Sequence, residues 1–302
     1  IERMGRWVDF ENDYKTMDPE FMESVWWVFK ECWDKNLIYQ GNKIVPYSPA
    51  LETGLSNFEA TSNYQDVQDP AVTVLFKLKN EEGYLSAWTT TPWTLTSNLA
   101  LIVNAEIDYL FVHEKTRDIK FYIAKERLEA FKKGNDFEII SECKGSDLVG
   151  KEYEPLFPYF EEKRSEGAFQ VVSDNYVTTS DGTGIVHAAP AFGEDDNRVL
   201  KEHKITAIAC PLNSKAEFTE EITDFAGLYI KDADKDIIKN LKDRNQVFHQ
   251  AVLVHSYPFC PRTDTPLIYM AMPQWYLSVD TVKEKMLKAN AGINWIPDHI
   301  KD

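Results

Sequence analysis

The sequence predicts an α+β fold: a β-barrel-like core with surrounding helices, reached through terminal segments of a different character, as in a domain inserted into a larger protein. Three observations predict it. Five short β-rich segments follow one another between residues 72 and 124, at the spacing of an all-β barrel or sandwich. Helical patterns are few and lie at the start of the chain and between strand patterns. The two ends read unlike the centre, which is the signature of chain entry and exit lying close together.

Taken in order, Asp18 can cap a helix and Pro19 suits its first position. Phe21, Val25, Phe29 and Trp33 then recur at four-residue spacing, an apolar stripe read most simply as core. From about residue 40 to 70 the text is loop-like, with scattered Pro, Ser, Asn and Asp. The strands expected next are VTVLFKL (72–78), YLSAW (84–88), LALIV (99–103), YLFVH (109–113) and KFYIA (120–124). KERLEAFKK (125–133) reads as a short helix closed by Gly134, and KDADKDIIKNLKDRNQ (231–246) as a longer amphipathic one. From about 255 the chain is Pro-rich and aromatic. The expected division is a helical connecting segment over 1–45, the β-barrel domain over 46–255, and a C-terminal connecting segment over 256–302 that packs with the first.

Composition narrows the function. With 302 residues and 43% apolar content the chain can bury a substantial core. No apolar run approaches the roughly 20 residues a bilayer requires, and IERMGRWVDFENDY lacks the blocks of a secretion signal, so a soluble, cytoplasmic protein without a membrane partner is expected. Cys32, Cys143, Cys210 and Cys260 are far apart, with no CxxC pair, and read as reduced structural thiols. A formal charge of −16 argues against non-specific nucleic-acid binding, which needs a basic field, while leaving room for a local RNA contact.

Two stretches carry candidate chemistry. In WTTTPWTL (88–95), Trp88 closes a strand pattern and Pro92 cannot donate to a ladder, so the strand should end near Thr91 and turn outward. The hydroxyls of Thr89, Thr90, Thr91 and Thr94 would then face a ligand or a water. Threonines also favour strands and strand ends for their own sake, and composition leaves both readings open. In SDGTGIVHAAPAFGEDDNRVL (180–200), a turn at Asp181-Gly182 precedes a buried strand, IVHAA, and a loop leads to a helix from Glu194. Three acids opening a helix are first explained by its dipole. A carboxylate beside a pocket can instead hold a substrate ammonium, and Asp196 is the candidate. His187 interrupts an apolar strand, as a satisfied core histidine or a functional one. There is no GxxxxGK[ST], no HExxH, no GxSxG, and no His/Cys spacing suited to a metal.

Together, WTTTPWTLTSNLAL (88–101) and GTGIVHAAPAFGEDD (182–196) resemble the paired signatures of the editing (CP1) domain of isoleucyl-tRNA synthetases. The resemblance extends through GRWVDFENDYKTMD, TDFAGLYIKDADKDII and HSYPFCPRTDTPLIYMAMPQWYLSV, and LSNFE and YQDVQDP look like the eukaryotic cytoplasmic type. Valyl and leucyl relatives typically carry TTRPxT where this chain has TTTPWT. Where bacterial members typically have a CxxC-type zinc site this chain has PYSPA, so neither metal nor cofactor is implied. Neither a HIGH-like nor a KMSKS-like segment occurs, so no amino-acid activation is expected.

The resemblance implies hydrolysis of valine esterified to the 3′ end of tRNA(Ile), with valyl-adenylate as a second candidate substrate, the isoleucyl product excluded and the synthetase's catalytic core as a further partner. Thr89, Thr90, Thr91 and Thr94 would contact the aminoacyl-adenosine and orient the attacking water. Asp196 would bind the α-ammonium, Asn98 belongs to the same motif, and Trp93 and His187 would shape the side-chain pocket. A tRNA-binding or docking module without catalysis, or the editing domain of a valyl or leucyl enzyme, are the alternatives.

Overall fold

The computed structural model describes residues 2–301 and divides into two units, one formed by residues up to 42 with those from 273 onward, the other by residues 43–272. Its strands are β1 (Ile38–Ser48), β2 (Thr53–Gly54), β3 (Tyr64–Lys77), β4 (Tyr84–Thr89), β5 (Ala100–Val103), β6 (Asp108–Glu114), β7 (Ile119–Ala124), β8 (Phe137–Lys144), β9 (Gln170–Ser173), β10 (Val186–Ala188), β11 (Val247–Pro258) and β12 (Ile268–Leu277).

In the first unit the Pro19–Asp34 helix begins at the expected proline. Its apolar stripe is not core: no residue of this helix is buried, and Trp26 and Trp27 are 69% and 63% exposed. Its aromatic partners are few, chiefly Tyr14 against Phe21 at 5.4 Å and Trp33 against Trp275 at 6.0 Å. The two terminal segments meet within this unit, where Tyr39 stacks on Tyr276 and the Ser278 N–H donates to the Leu37 carbonyl.

The second unit is built on a curled, half-barrel sheet of mixed direction, in the order β8-β6-β7-β4-β10-β5-β9, with β3 on the far edge of β4 and β11 beyond it. β3 alternates its faces as a strand must: Val72, Val74 and Phe76 enter the main core, while Leu75 joins a second cluster with Val112, Phe121 and Phe248. β5 is buried at all four positions, having core on both sides. The amphipathic segment is a helix, Ile230–Asp243, burying Ile237, Ile238 and Leu241.

Three expectations need correction. Much of the 40–70 stretch is strand, not loop: β1 runs to Ser48 and β3 starts at Tyr64. The Pro-rich passage after 255 contains the end of β11 and all of β12, and residues 256–272 group with the larger unit. KERLEAFKK is one 3₁₀ turn, Lys125–Arg127, followed by one α-turn, Leu128–Phe131.

Candidate active site

The two motifs meet because β10 lies between β4 and β5. It runs parallel to β4, pairing Val186 with Trp88, and antiparallel to β5, pairing His187 with Leu101. Two parallel strands end at the same edge of a sheet, so the threonine loop leaving β4 and the Pro190–Gly193 loop leaving β10 face one another there. The turn before β10 is held firmly. Gly184 sits at φ +77°, where a Cβ would strike Ala124, and Arg127 binds the Gly182 and Ser180 carbonyls at 2.8 and 3.0 Å.

β4 ends at Thr89 rather than Thr91. Pro92 opens a 3₁₀ helix, Pro92–Ser97, at the position where a missing N–H costs nothing. The next N–H, of Trp93, donates to the Asp234 carboxylate at 2.8 Å. Folded this way, the loop gathers its hydroxyls: Thr91 Oγ1 lies 3.2 Å from both Thr89 Oγ1 and Thr94 Oγ1, and the Thr91 N–H donates to Thr89 Oγ1 at 3.0 Å. The hydroxyl of Thr90 has no hydrogen-bond partner among the described residues.

Opposite stands the Glu194–Glu202 helix. Glu194 and Asp195 are exposed in its first turn, where the dipole accounts for them. Asp196 is different. Its Oδ2 accepts the Ala189 N–H at 2.9 Å and its Oδ1 the Tyr176 hydroxyl at 3.4 Å. Burial raises its pKa to about 6, against the lowering effect of those two donors. Gly193 leaves room for it, since a Cβ there would lie 2.5 Å from Asp196 Oδ2.

Between these walls is a cavity of ≈ 320 Å³ lined by Trp88, Thr89, Thr90, Thr91, Thr94, Val186, His187, Ala189, Phe192, Gly193 and Asp196. Its polar groups are hydroxyls, one carboxylate and one imidazole; burial lowers the pKa of His187 to about 4, so the ring is neutral near pH 7. The space suits a small ligand with a cationic group beside hydrogen-bonding oxygens. Among the described residues no three His, Cys, Asp or Glu side chains cluster as a metal site would require.

Six of the eight residues singled out from sequence line this cavity. The other two stand one layer behind it. Trp93 packs edge-on to Phe192 at 4.8 Å and supports that wall without forming it; Asn98 is buried behind His187, its Nδ2 3.3 Å from Nδ1 of the ring. Both follow from the 3₁₀ helix, which turns these side chains toward the core. Sequence reasoning missed Trp88, Phe192 and Tyr176 on the cavity side, and Asp234 and Tyr153 behind it. Trp88 and Phe192 lay within the two site motifs and Asp234 within the quoted block TDFAGLYIKDADKDII, where nothing singled it out; Tyr176 and Tyr153 lay outside every quoted block.

The family model for class I tRNA synthetases (I, L, M and V) matches residues 1–302. The chain is 49% identical over its whole length to isoleucine--tRNA ligase of Chlamydia trachomatis and 50% to that of Bdellovibrio bacteriovorus, spanning 29% of each. It is 48% identical to the cytoplasmic isoleucine--tRNA ligase of Mus musculus, spanning 24% of it. The kinship therefore includes bacteria as well as a eukaryotic cytoplasmic enzyme. Among solved structures, the cytosolic leucyl-tRNA synthetase editing domain of P. knowlesi matches 64% of this chain and 99% of its own, at 12% identity and a TM-score of 0.46. That of P. falciparum matches 60% and 99%, at 9% and 0.48.

Proposed function

The chain belongs to the class I tRNA synthetases of the isoleucine, leucine, methionine and valine group, and from that premise we propose that it is an editing module that hydrolyses valine from mischarged tRNA(Ile). The single observation carrying this reading is the convergence of Asp196 with Thr89, Thr90, Thr91 and Thr94 on one cavity. The same chemistry on valyl-adenylate is open to this site.

The need is energetic. One methylene in a hydrophobic pocket is worth only about 1–3 kcal/mol, and isoleucine against valine is the standard illustration of that limit. A second site that admits the smaller product and excludes the larger multiplies the discrimination. In this reading the α-ammonium of the valyl ester binds Asp196, which anchors the ester carbonyl among the threonine hydroxyls. His187, Phe192 and Val186 bound the side chain, and the extra methylene of isoleucine meets the imidazole.

Water then adds to the ester carbonyl, and hydroxyl and backbone donors of the loop stabilise the developing oxyanion. Collapse breaks the bond between the carbonyl carbon and the ribose oxygen, the proton from water passes to that oxygen, and valine leaves with the tRNA 3′ end restored. No side chain lining the cavity is a strong base. Positioning of the water therefore dominates, assisted by the neighbouring ribose hydroxyl, and no cofactor enters the step as proposed. Full hydrolysis of a substrate lacking that hydroxyl would exclude its assistance.

The relatives are more than three times as long as this chain, which spans 24–29% of them. The exposed aromatic face of the Pro19–Asp34 helix is accordingly proposed to pack against the remainder of such a synthetase. The test of function is turnover: valyl-tRNA(Ile) should be deacylated, and Asp196→Ala should abolish it. Binding of the tRNA without turnover would favour a docking module instead.

A further inference from the structure

Behind the cavity, four side chains form a continuous chain: Tyr153 Oη to Asn98 Oδ1 at 2.7 Å, Asn98 Nδ2 to His187 Nδ1 at 3.3 Å, and His187 Nε2 to Thr94 Oγ1 at 2.9 Å. Two backbone carbonyls, which can only accept, fix the direction of every proton in it. At one end Asn98 Nδ2 faces the Ala100 carbonyl at 2.9 Å. That orients the amide with its NH₂ toward Ala100 and His187, and its oxygen toward the Tyr153 hydroxyl. At the other end the Thr94 hydroxyl faces the Thr91 carbonyl at 2.8 Å. Its proton goes there, so Thr94 Oγ1 must accept from the imidazole. Both ends independently require the same ring: bare at Nδ1, protonated at Nε2.

We propose that Tyr153 and Asn98 are positioning residues that lock His187 as a neutral Nε2–H donor to Thr94, making the histidine a fixed wall and hydroxyl orienter and removing it as a general base. Its one lone pair is held by Asn98 and its one proton by Thr94. The anchor is rigid. The Tyr153 ring packs against Phe76 at 5.3 Å and Phe169 at 6.2 Å, and its N–H donates to the Phe169 carbonyl. Phe169 holds φ +64°, a conformation that a bulky residue keeps only where its surroundings over-determine it. Burial keeps the Tyr153 hydroxyl protonated and hence a donor. The consequence for editing rests on the function proposed above; the ring's protonation pattern does not.

The test is ¹⁵N NMR of the full chain labelled in its histidine rings, with the His187 signals assigned by substitution. Wild-type protein should show a single protonated Nε2 and bare Nδ1, unchanged from pH 5.5 to 8.5. Asn98→Asp places an acceptor against Nδ1 and should reverse the pattern or charge the ring. Tyr153→Phe removes the donor to the Asn98 oxygen and leaves the Ala100 carbonyl alone to orient the amide; it should keep the tautomer, loosen the ring so that the His187 signals broaden, and lower kcat for valyl ester by about 10- to 100-fold, the scale of a misplaced reacting group. A wild-type ring protonated at Nδ1 would overturn the proposal, as would an unaltered tautomer in Asn98→Asp, or unbroadened His187 signals with full kcat in Tyr153→Phe. If Tyr153→Phe does not fold, Asn98→Asp decides. If the wild-type chain shows the expected tautomer yet hydrolyses no valyl ester, the functional reading falls and the locked histidine stands.

Discussion

Asp196 must be ionised to hold an ammonium, and its burial works against that. With its pKa raised to about 6, the carboxylate is lost as pH falls through 6, while a substrate α-amine loses its proton above roughly 7.7–8. We expect kcat/KM to be highest between those limits, with an acid limb that flattens in Asp196→Asn. That substitution should lower kcat/KM about 10- to 100-fold near pH 7, the roughly 1.5–3 kcal/mol of a charged hydrogen bond. Stopped-assay deacylation across pH checks both. Gly193→Ala is the complementary probe: its backbone φ of −119° accepts any residue, so the strain falls on the Asp196 carboxylate, 2.5 Å from the new methyl. Activity should drop sharply with little change in the unfolding midpoint. At this scale the sequence was legible in bringing the threonines, His187 and Asp196 to one cavity; their roles in hydrolysis belong to the proposal. It was not legible for Tyr176, Tyr153 or Asp234, because what gives each its role is a partner remote in the chain.

The 3₁₀ helix of the threonine loop depends on a carboxylate from another element. Asp234, 4% exposed, accepts the Trp93 N–H, and burial raises its pKa to about 7. A carboxyl whose folded pKa lies above its unfolded one contributes stability below the unfolded value, near 3.8, and loses it as pH rises through 7. Asp234→Asn keeps an acceptor and removes the ionisation, so its stability relative to wild type should improve between pH 5 and 8. Asp234→Ala orphans a buried N–H and should cost about 1–3 kcal/mol, together with loss of hydrolysis. Thermal or urea unfolding of both variants at pH 5 and pH 8 measures this directly. Element by element, the hydrophobic strands of the core were readable from pattern. The start of β3 was not, because Tyr64–Pro70 pairs with β11 alone, beyond the end of β4, and is a polar ribbon that reads like loop. Pro70 is tolerated there because one of its sides has no ladder to complete.

The molecule carries a formal charge of −16, so the recognition of tRNA that the proposed function requires has to be local rather than through a broad basic field. Under the proposed function the cavity would meet that requirement by reading the aminoacyl end of the ligand. Its ≈ 320 Å³ is lined in part by His187, whose ring the hydrogen-bond network holds in place, and a rigid wall is what the proposed sieve for one methylene needs. Deacylation of valyl-tRNA(Ile) is the activity the proposed function expects of this chain. The sieve itself is tested most directly by calorimetric titration with two non-hydrolysable terminal-adenosine analogues, one bearing valine and one isoleucine in amide linkage. Binding of the valyl form alone, abolished by Asp196→Ala, is the expected result. Equal binding of both analogues would contradict the claim that this cavity, with His187 as its wall, excludes the cognate product.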